Sequence, residues 1–178
     1  MCIRDSEEPS ANPHDFLNQG HDLAIQPNTL RDSSIVVKKI GKIDHVLVAS
    51  PDYIADHGAP QTIKDLADRE CLAKMSDTAW AFENGERIVL KAPSKFASNS
   101  VFALRDAALE GLGVAMLPKG IMFDTIAKGM LAHILPDFPL APRPLYIAFP
   151  PGGDIPRKTR LLISYLATWF KEHPSDLN

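Results

Sequence analysis

The sequence predicts an α/β fold with a mostly parallel or mixed sheet, on three observations. Segments with helical apolar spacing alternate with short apolar runs of strand length. One hairpin signal, Asn84-Gly85, interrupts that alternation. The fifteen prolines fall mainly at element boundaries, so they leave the elements intact. Asn99 to Pro118, NSVFALRDAALEGLGVAMLP, condenses the pattern. Ser98, Asn99 and Ser100 offer capping oxygens, and Val101, Leu104, Ala108 and Leu112 form one helical face. Gly111 and Gly113 supply the turn that ends the helix, and Val114 to Leu117 is an apolar run suited to a strand covered on both faces.

The remaining elements follow in chain order. Asp15 to Gln19 is predicted as a short helix stopped by Gly20, and Asp22 to Ile25 as a strand. Gln26 to Ser34 is a loop, with Pro27, Asn28 and Asp32 as turn formers. Ile35 to Ile40 is a strand ended by Gly41, and His45 to Ala49 is a stronger one. Ser50 and Pro51 read as N-cap and first helical residue, with Gly58 as the stop. Thr62 and Asp65 approximate a capping box that starts a second short helix. Trp80 to Phe82 and Arg87 to Leu90 are the arms of the hairpin. Ile121 to Lys128 is a helix with Gly129 past its end, and Met130 to Leu135 and Leu145 to Phe149 are strands. The last helix starts near Asp154 and Pro156, with Leu162, Tyr165, Leu166 and Trp169 as its buried stripe.

Composition narrows the function classes. A 178-residue chain suffices for one domain or two small lobes. A net charge of −3 gives no bulk attraction to nucleic acid, and no apolar run is long enough to cross a bilayer. Only Cys2 and Cys71 are present, which argues against a disulfide framework and for a reducing compartment. Cys71, beside Leu72, reads as a small core residue. The opening hexapeptide MCIRDS resembles the translated read-through of a sequencing-library adapter, so the chain is expected to be the C-terminal part of a longer protein.

Reactive motifs are missing from the sequence. There is no G-x-S-x-G elbow, H-E-x-x-H or P-loop. Gly111 and Gly113 lie at a helix end, the wrong side for a dinucleotide fingerprint. His14, His21, His45, His57, His133 and His173 are scattered, and none sits at a zinc-ligand spacing, so no metal and no cofactor are expected. Trp80 and Trp169 read as core, and Arg157, Lys158 and Arg160 as a solvated helix face.

From His21 to about Phe170 the chain resembles the effector-binding domain of LysR-type transcriptional regulators. Four pieces come in family order: HDLAIQPNTLRDSSIVVKKIG, HVLVASPDYIADHGAPQTIKDLADRECL, SNSVFALRDAALEGLGVAMLP and LYIAFPPGGDIPRKTRLLISYLATWF. The third resembles the family element N-x-x-x-x-LRxAAxxGLGIxxLP. The resemblance implies a two-lobed periplasmic-binding-protein-like (type II) domain with its first lobe incomplete. Residues 7–46 would be part of lobe I and 47–145 lobe II; 146–173 would be a crossover strand and helix returning to lobe I, and 174–178 a tail. The family's helix-turn-helix, linker helix and opening strand–helix–strand have no counterpart here.

The resemblance further implies a cytoplasmic sensor, not an enzyme, that takes a small-molecule effector between its lobes. A homodimer or homotetramer would form in the full-length protein, with DNA bound only through the helix-turn-helix and no membrane partner. Physical reading and resemblance together suggest Ser98, Asn99, Ser100, Gln26, Pro27, Ser50, Pro118 and Phe149 as effector-binding, because ligands in open α/β sheets sit beyond the carboxyl ends of strands. Helix capping alone would also account for Ser50 and for Ser98 to Ser100. A helix start suits a carboxylate. The alternatives are a solute-binding protein of a transport system and an enzyme on the same fold, such as a dehydratase or deaminase; the latter needs an acid/base pair that the sequence does not offer.

Overall fold

The structure, a computed structural model, describes residues 21–27, 35–74, 77–90, 95–151 and 155–173. The expected adapter hexapeptide, the Asp15–Gln19 helix, most of the Gln26–Ser34 loop, the Asp154 helix start and the 174–178 tail lie outside those residues. The chain divides into two compact units, one holding described residues up to Gly41 and from Pro144 to Glu172, the other running from Lys42 to Arg143 and including His173.

The larger unit is built on a four-stranded sheet. Its strands are β3 (His45–Ala49), β4 (Cys71–Leu72), β7 (Val114–Pro118) and β8 (Ala132–Ile134), in the order β4-β7-β3-β8. β4 runs parallel to β7, whereas β3 runs antiparallel to both β7 and β8, so the sheet is mixed. Alternate residues face two separate cores. Leu47, Ala49, Cys71, Val114 and Met116 point to one, and Val46, Val48, Leu72, Ala115 and Leu117 to the other. Coverage on both faces is why these strands read as unbroken apolar runs.

Each face has its own cover. On the first lie α1 (Pro51–His57), a 3-10 turn (Ile63–Asp68) and a hairpin of β5 (Ala79–Ala81) and β6 (Arg87–Val89). Trp80 of that hairpin is fully buried there with Tyr53 and Leu66. On the second lie α2 (Val101–Leu109) and α3 (Lys119–Ala127), which bury Leu104, Ala108 and Met122. Burying a leucine or methionine side chain in this way contributes roughly 1.5–3 kcal/mol.

Local signals placed these covers. The Ser50 Oγ accepts the Tyr53 N–H at 3.2 Å, and Pro51 opens α1. The Asp65 carboxylate accepts the N–H groups of Gln61 and Thr62 at 2.8 and 2.9 Å, and those bonds hold its pKa below the ordinary value. The turn it caps is 3-10 rather than α-helical. Gly85, at φ 86°, makes the hairpin turn.

The smaller unit has a three-stranded sheet, β1-β9-β2, from β1 (Ala24–Pro27), β2 (Val36–Ile43) and β9 (Arg143–Phe149). β2 does not stop at Gly41 as expected but runs two residues on, because an extended glycine is no break in a strand. Central β9 buries Leu145, Ile147 and Ala148. The last helix, α4 (Arg157–Glu172), corrects the expected stripe. Thr159 and Ile163 are buried and Leu166 and Trp169 half-buried, whereas Leu162 and Tyr165 are 42% and 62% exposed. The face rests on Thr159 and Ile163, four residues apart, a register that periodicity alone did not choose. Arg157, Lys158 and Arg160 are exposed, and Lys158 pairs with Asp22 at 2.8 Å.

Candidate functional site

One end of the four-stranded sheet gathers polar groups from four segments. The parallel strands β4 and β7 both finish there, and antiparallel β3 begins there, so His45 lies opposite Pro118. Past β4, Ala73 bridges to Ala97, and the Ser98 N–H donates to the Ala73 carbonyl at 3.3 Å. That contact carries the chain into α2. The Ser98 Oγ accepts the Ser100 N–H at 3.1 Å, and the Ser100 Oγ accepts the Ala103 N–H at 3.4 Å as the helix cap. Ser98 is half-buried, while Asn99 and Ser100 are exposed.

A charge cluster occupies the same unit. Arg143, the first residue of β9, donates from Nη1 to Asp77 Oδ1 at 3.2 Å and from Nη2 to Asp77 Oδ2 at 3.0 Å. Their side chains are only 17% and 10% exposed. Arg143 Nη2 also lies 4.0 Å from the sulfur of Met116. His45 is 9% exposed. Burial first, and then the charges of Arg143 and Lys74, push its pKa down to about 4. It is therefore neutral near pH 7, and its Nδ1–H donates to the Ile43 carbonyl at 3.1 Å. Burial, and next the Arg143 guanidinium, also lower the pKa of Lys74, against the pull of Asp77.

The eight expected site residues are divided between the two units. Ser98, Asn99, Ser100 and Pro118 share the sheet end just described. Ser50 lies elsewhere in the same sheet. It follows β3, and because β3 is antiparallel to β7 it falls at the other end of the sheet. A side chain on Gly111, past the C-terminal end of α2, would meet the Ser50 Oγ at 3.4 Å. In the smaller unit, Gln26 and Pro27 pair in register with Tyr146 and Leu145. The Gln26 Nε2 is buried with no hydrogen-bond partner among the described residues. Phe149 follows Ala148, the partner of Ala24, so it lies at the opposite end of that strand pair from Pro27.

Sequence reading missed Lys74, Asp77 and Arg143, and took His45 only as a strand start. A lone basic residue at a strand start was the sole local trace of Arg143; its partner stands 66 positions away. The cluster can bind and orient an anion or a polar group. Among the described residues no group of His, Cys, Asp and Glu could hold a metal ion, and no helix is long and apolar enough to cross a membrane.

Known proteins resemble this chain in sequence and in fold. The family model for the LysR substrate binding domain matches residues 3–171. An uncharacterized HTH-type transcriptional regulator of Haemophilus influenzae is 37% identical over 151 residues, covering 81% of this chain and 51% of that protein. The HTH-type transcriptional regulator DmlR of Escherichia coli is 28% identical over 164 residues, covering 89% and 53%. The chain thus spans about half the length of the curated relatives it matches. Among solved structures, the regulatory domain of AphB in Vibrio vulnificus superposes with a TM-score of 0.67 at 31% identity, covering 94% of this chain and 82% of that one. CrgA, a LysR-type transcriptional regulator from Neisseria meningitidis, gives a TM-score of 0.73 at 23% identity, covering 90% and 56%, and speaks to the fold alone. The fold is the two-lobed, type II periplasmic-binding-protein-like α/β fold of these regulatory domains. These relatives are regulators rather than enzymes or transport proteins, and the chain belongs to the LysR substrate-binding domain family.

Proposed function

We propose that this chain is the effector-sensing domain of a LysR-type transcription regulator. It binds a small metabolite, of which a carboxylate is the favoured class, and biases how the full-length protein engages DNA. The observation that carries this reading is the meeting of the α2 start with the His45–Lys74–Arg143 cluster at one sheet end, within a chain of this family. Ser98, Asn99, Ser100 and Pro118 contribute to it from the larger unit. Ser50 is assigned to capping α1, and Phe149 is left out. The chemistry asked of these residues is recognition. Effector binding changes transcription only if the regulator's alternative states bind it with different affinity. Dimers or tetramers of the full-length protein would turn that difference into altered presentation of DNA-binding helices.

The test pairs calorimetry with DNA binding. A metabolite that raises the melting temperature of the chain should shift the operator affinity of the full-length regulator. Asn99→Phe should weaken the metabolite about tenfold while the larger unit stays folded. Unchanged affinity in that variant removes the α2 start from the site.

A further inference from the structure

Lys74 is left with surplus charge by its neighbours. The Asp77 carboxylate is engaged at both oxygens by Arg143, one guanidinium N–H to each. His45 adds no charge near pH 7. The Lys74 ammonium, half-buried, has no ion-pair partner among the described residues. Two cations and one anion leave a local excess of one positive charge. Water screens this excess poorly, because all four side chains are at least partly covered.

We propose that Lys74 is the residue of this lobe that pairs with a carboxylate on the effector. The proposal rests on the effector-binding reading above and sharpens it to a ligand class and a specificity-determining side chain. Three features support it. Lys74 directly follows Ala73, whose carbonyl receives the Ser98 N–H, so its backbone stands beside the expected ligand-binding segment. The bidentate hold of Arg143 engages both oxygens of Asp77, the carboxylate that acts on Lys74, and so shares its charge between two cations. An excess of one charge matches a monoanion, such as a carboxylate, better than a dianionic phosphate. In this arrangement Arg143 is a positioning residue: it acts on the ligand through Asp77 and Lys74.

The experiment uses the 178-residue chain and five probes, namely acetate, benzoate, benzamide, succinate and inorganic phosphate. Isothermal titration is run on the wild type, Lys74→Met and Lys74→Arg, with melting curves to confirm folding. At least one carboxylate should bind the wild type. Lys74→Met should weaken it about tenfold or more, and Lys74→Arg should retain most of the affinity. Benzamide should bind at least about tenfold more weakly than benzoate. Equal binding of a carboxylate by wild type and Lys74→Met overturns the proposal. So does benzamide matching benzoate, phosphate outcompeting every carboxylate, or no carboxylate binding at all. In those cases the effector reading stands or falls separately, on whether Asn99→Phe alters binding of a neutral metabolite found by melting-temperature screening. Should Lys74→Met fail to fold, the Lys74 side-chain resonances of the wild type decide: they must move as carboxylate is added, and stationary resonances refute the pairing.

Discussion

Arg143 grips both carboxylate oxygens of Asp77, at 3.0 and 3.2 Å, across 66 positions of sequence. The pair is mostly withdrawn from water. Removing one member strands the other charge, which is the costly way to break such a bridge. Asp77→Asn is expected to destabilise the larger unit by about 3 kcal/mol, read from urea unfolding. The double variant Asp77→Asn with Arg143→Met should recover part of that loss, since it leaves no orphaned guanidinium. A double variant as unstable as the sum of its singles would show that the two residues act independently.

His45 sets a stability window in pH. Its folded pKa of about 4 lies below the ordinary 6.5, so between those values the unfolded chain holds a proton that the folded chain does not. Stability is therefore complete above about pH 6.5 and declines as pH falls toward 4, by on the order of 3 kcal/mol. His45→Asn, which keeps a donor for the Ile43 carbonyl, should flatten the decline. Unfolding midpoints of the two proteins at pH 7 and pH 4.5 make the comparison, and parallel declines would refute it.

Two serines separate capping from ligand binding. Ser50 and Ser100 each cap a helix, α1 and α2, so alanine at either should cost about 1 kcal/mol. Only Ser100→Ala is expected to weaken effector binding, because Ser50 lies at the far end of the sheet. Calorimetric titration of both variants with the same metabolite checks this, and equal losses would place Ser50 back in the site.

Gly113 tests the seam between β4 and β7. The Glu70 carbonyl accepts the Val114 N–H at 2.8 Å and lies where a Gly113 side chain would project. Gly113→Ala must push that backbone aside, at a cost of about 2 kcal/mol. Gly85→Ala meets nothing within 4 Å but needs a positive φ of 86°, so about 1 kcal/mol is expected. Thermal melts should rank them in that order, and the reverse order would mean that β4 yields easily.

Much of the fold was legible because its signals are local. Ser50-Pro51, the Thr62–Asp65 pair, Asn84-Gly85 and Gly129 act within a few residues, and each marks an observed boundary. Strand direction is not local. The sequence of β3 carries no mark that it runs against β7, and that direction decided where Ser50 went. Two-residue β4 was too short to give a periodic signal. The charge cluster was hidden for the same reason as strand direction: Lys74, Asp77 and Arg143 have meaning only once distant segments meet. Half of the α4 stripe was legible, since Leu166 and Trp169 are half-buried; Leu162 and Tyr165 are exposed because tertiary contacts chose the face through Thr159 and Ile163.

The grip on Asp77 also bears on how the protein emerges from the ribosome. Arg143 closes the 42–143 segment of its unit, so a nascent chain that has not yet exposed it leaves the Asp77 carboxylate unclaimed. In that interval Lys74 is the nearby cation free to seize it. Arg143, the last guanidinium of that segment to be synthesised, would then release the ammonium, leaving Lys74 open to an outside anion only from that point on.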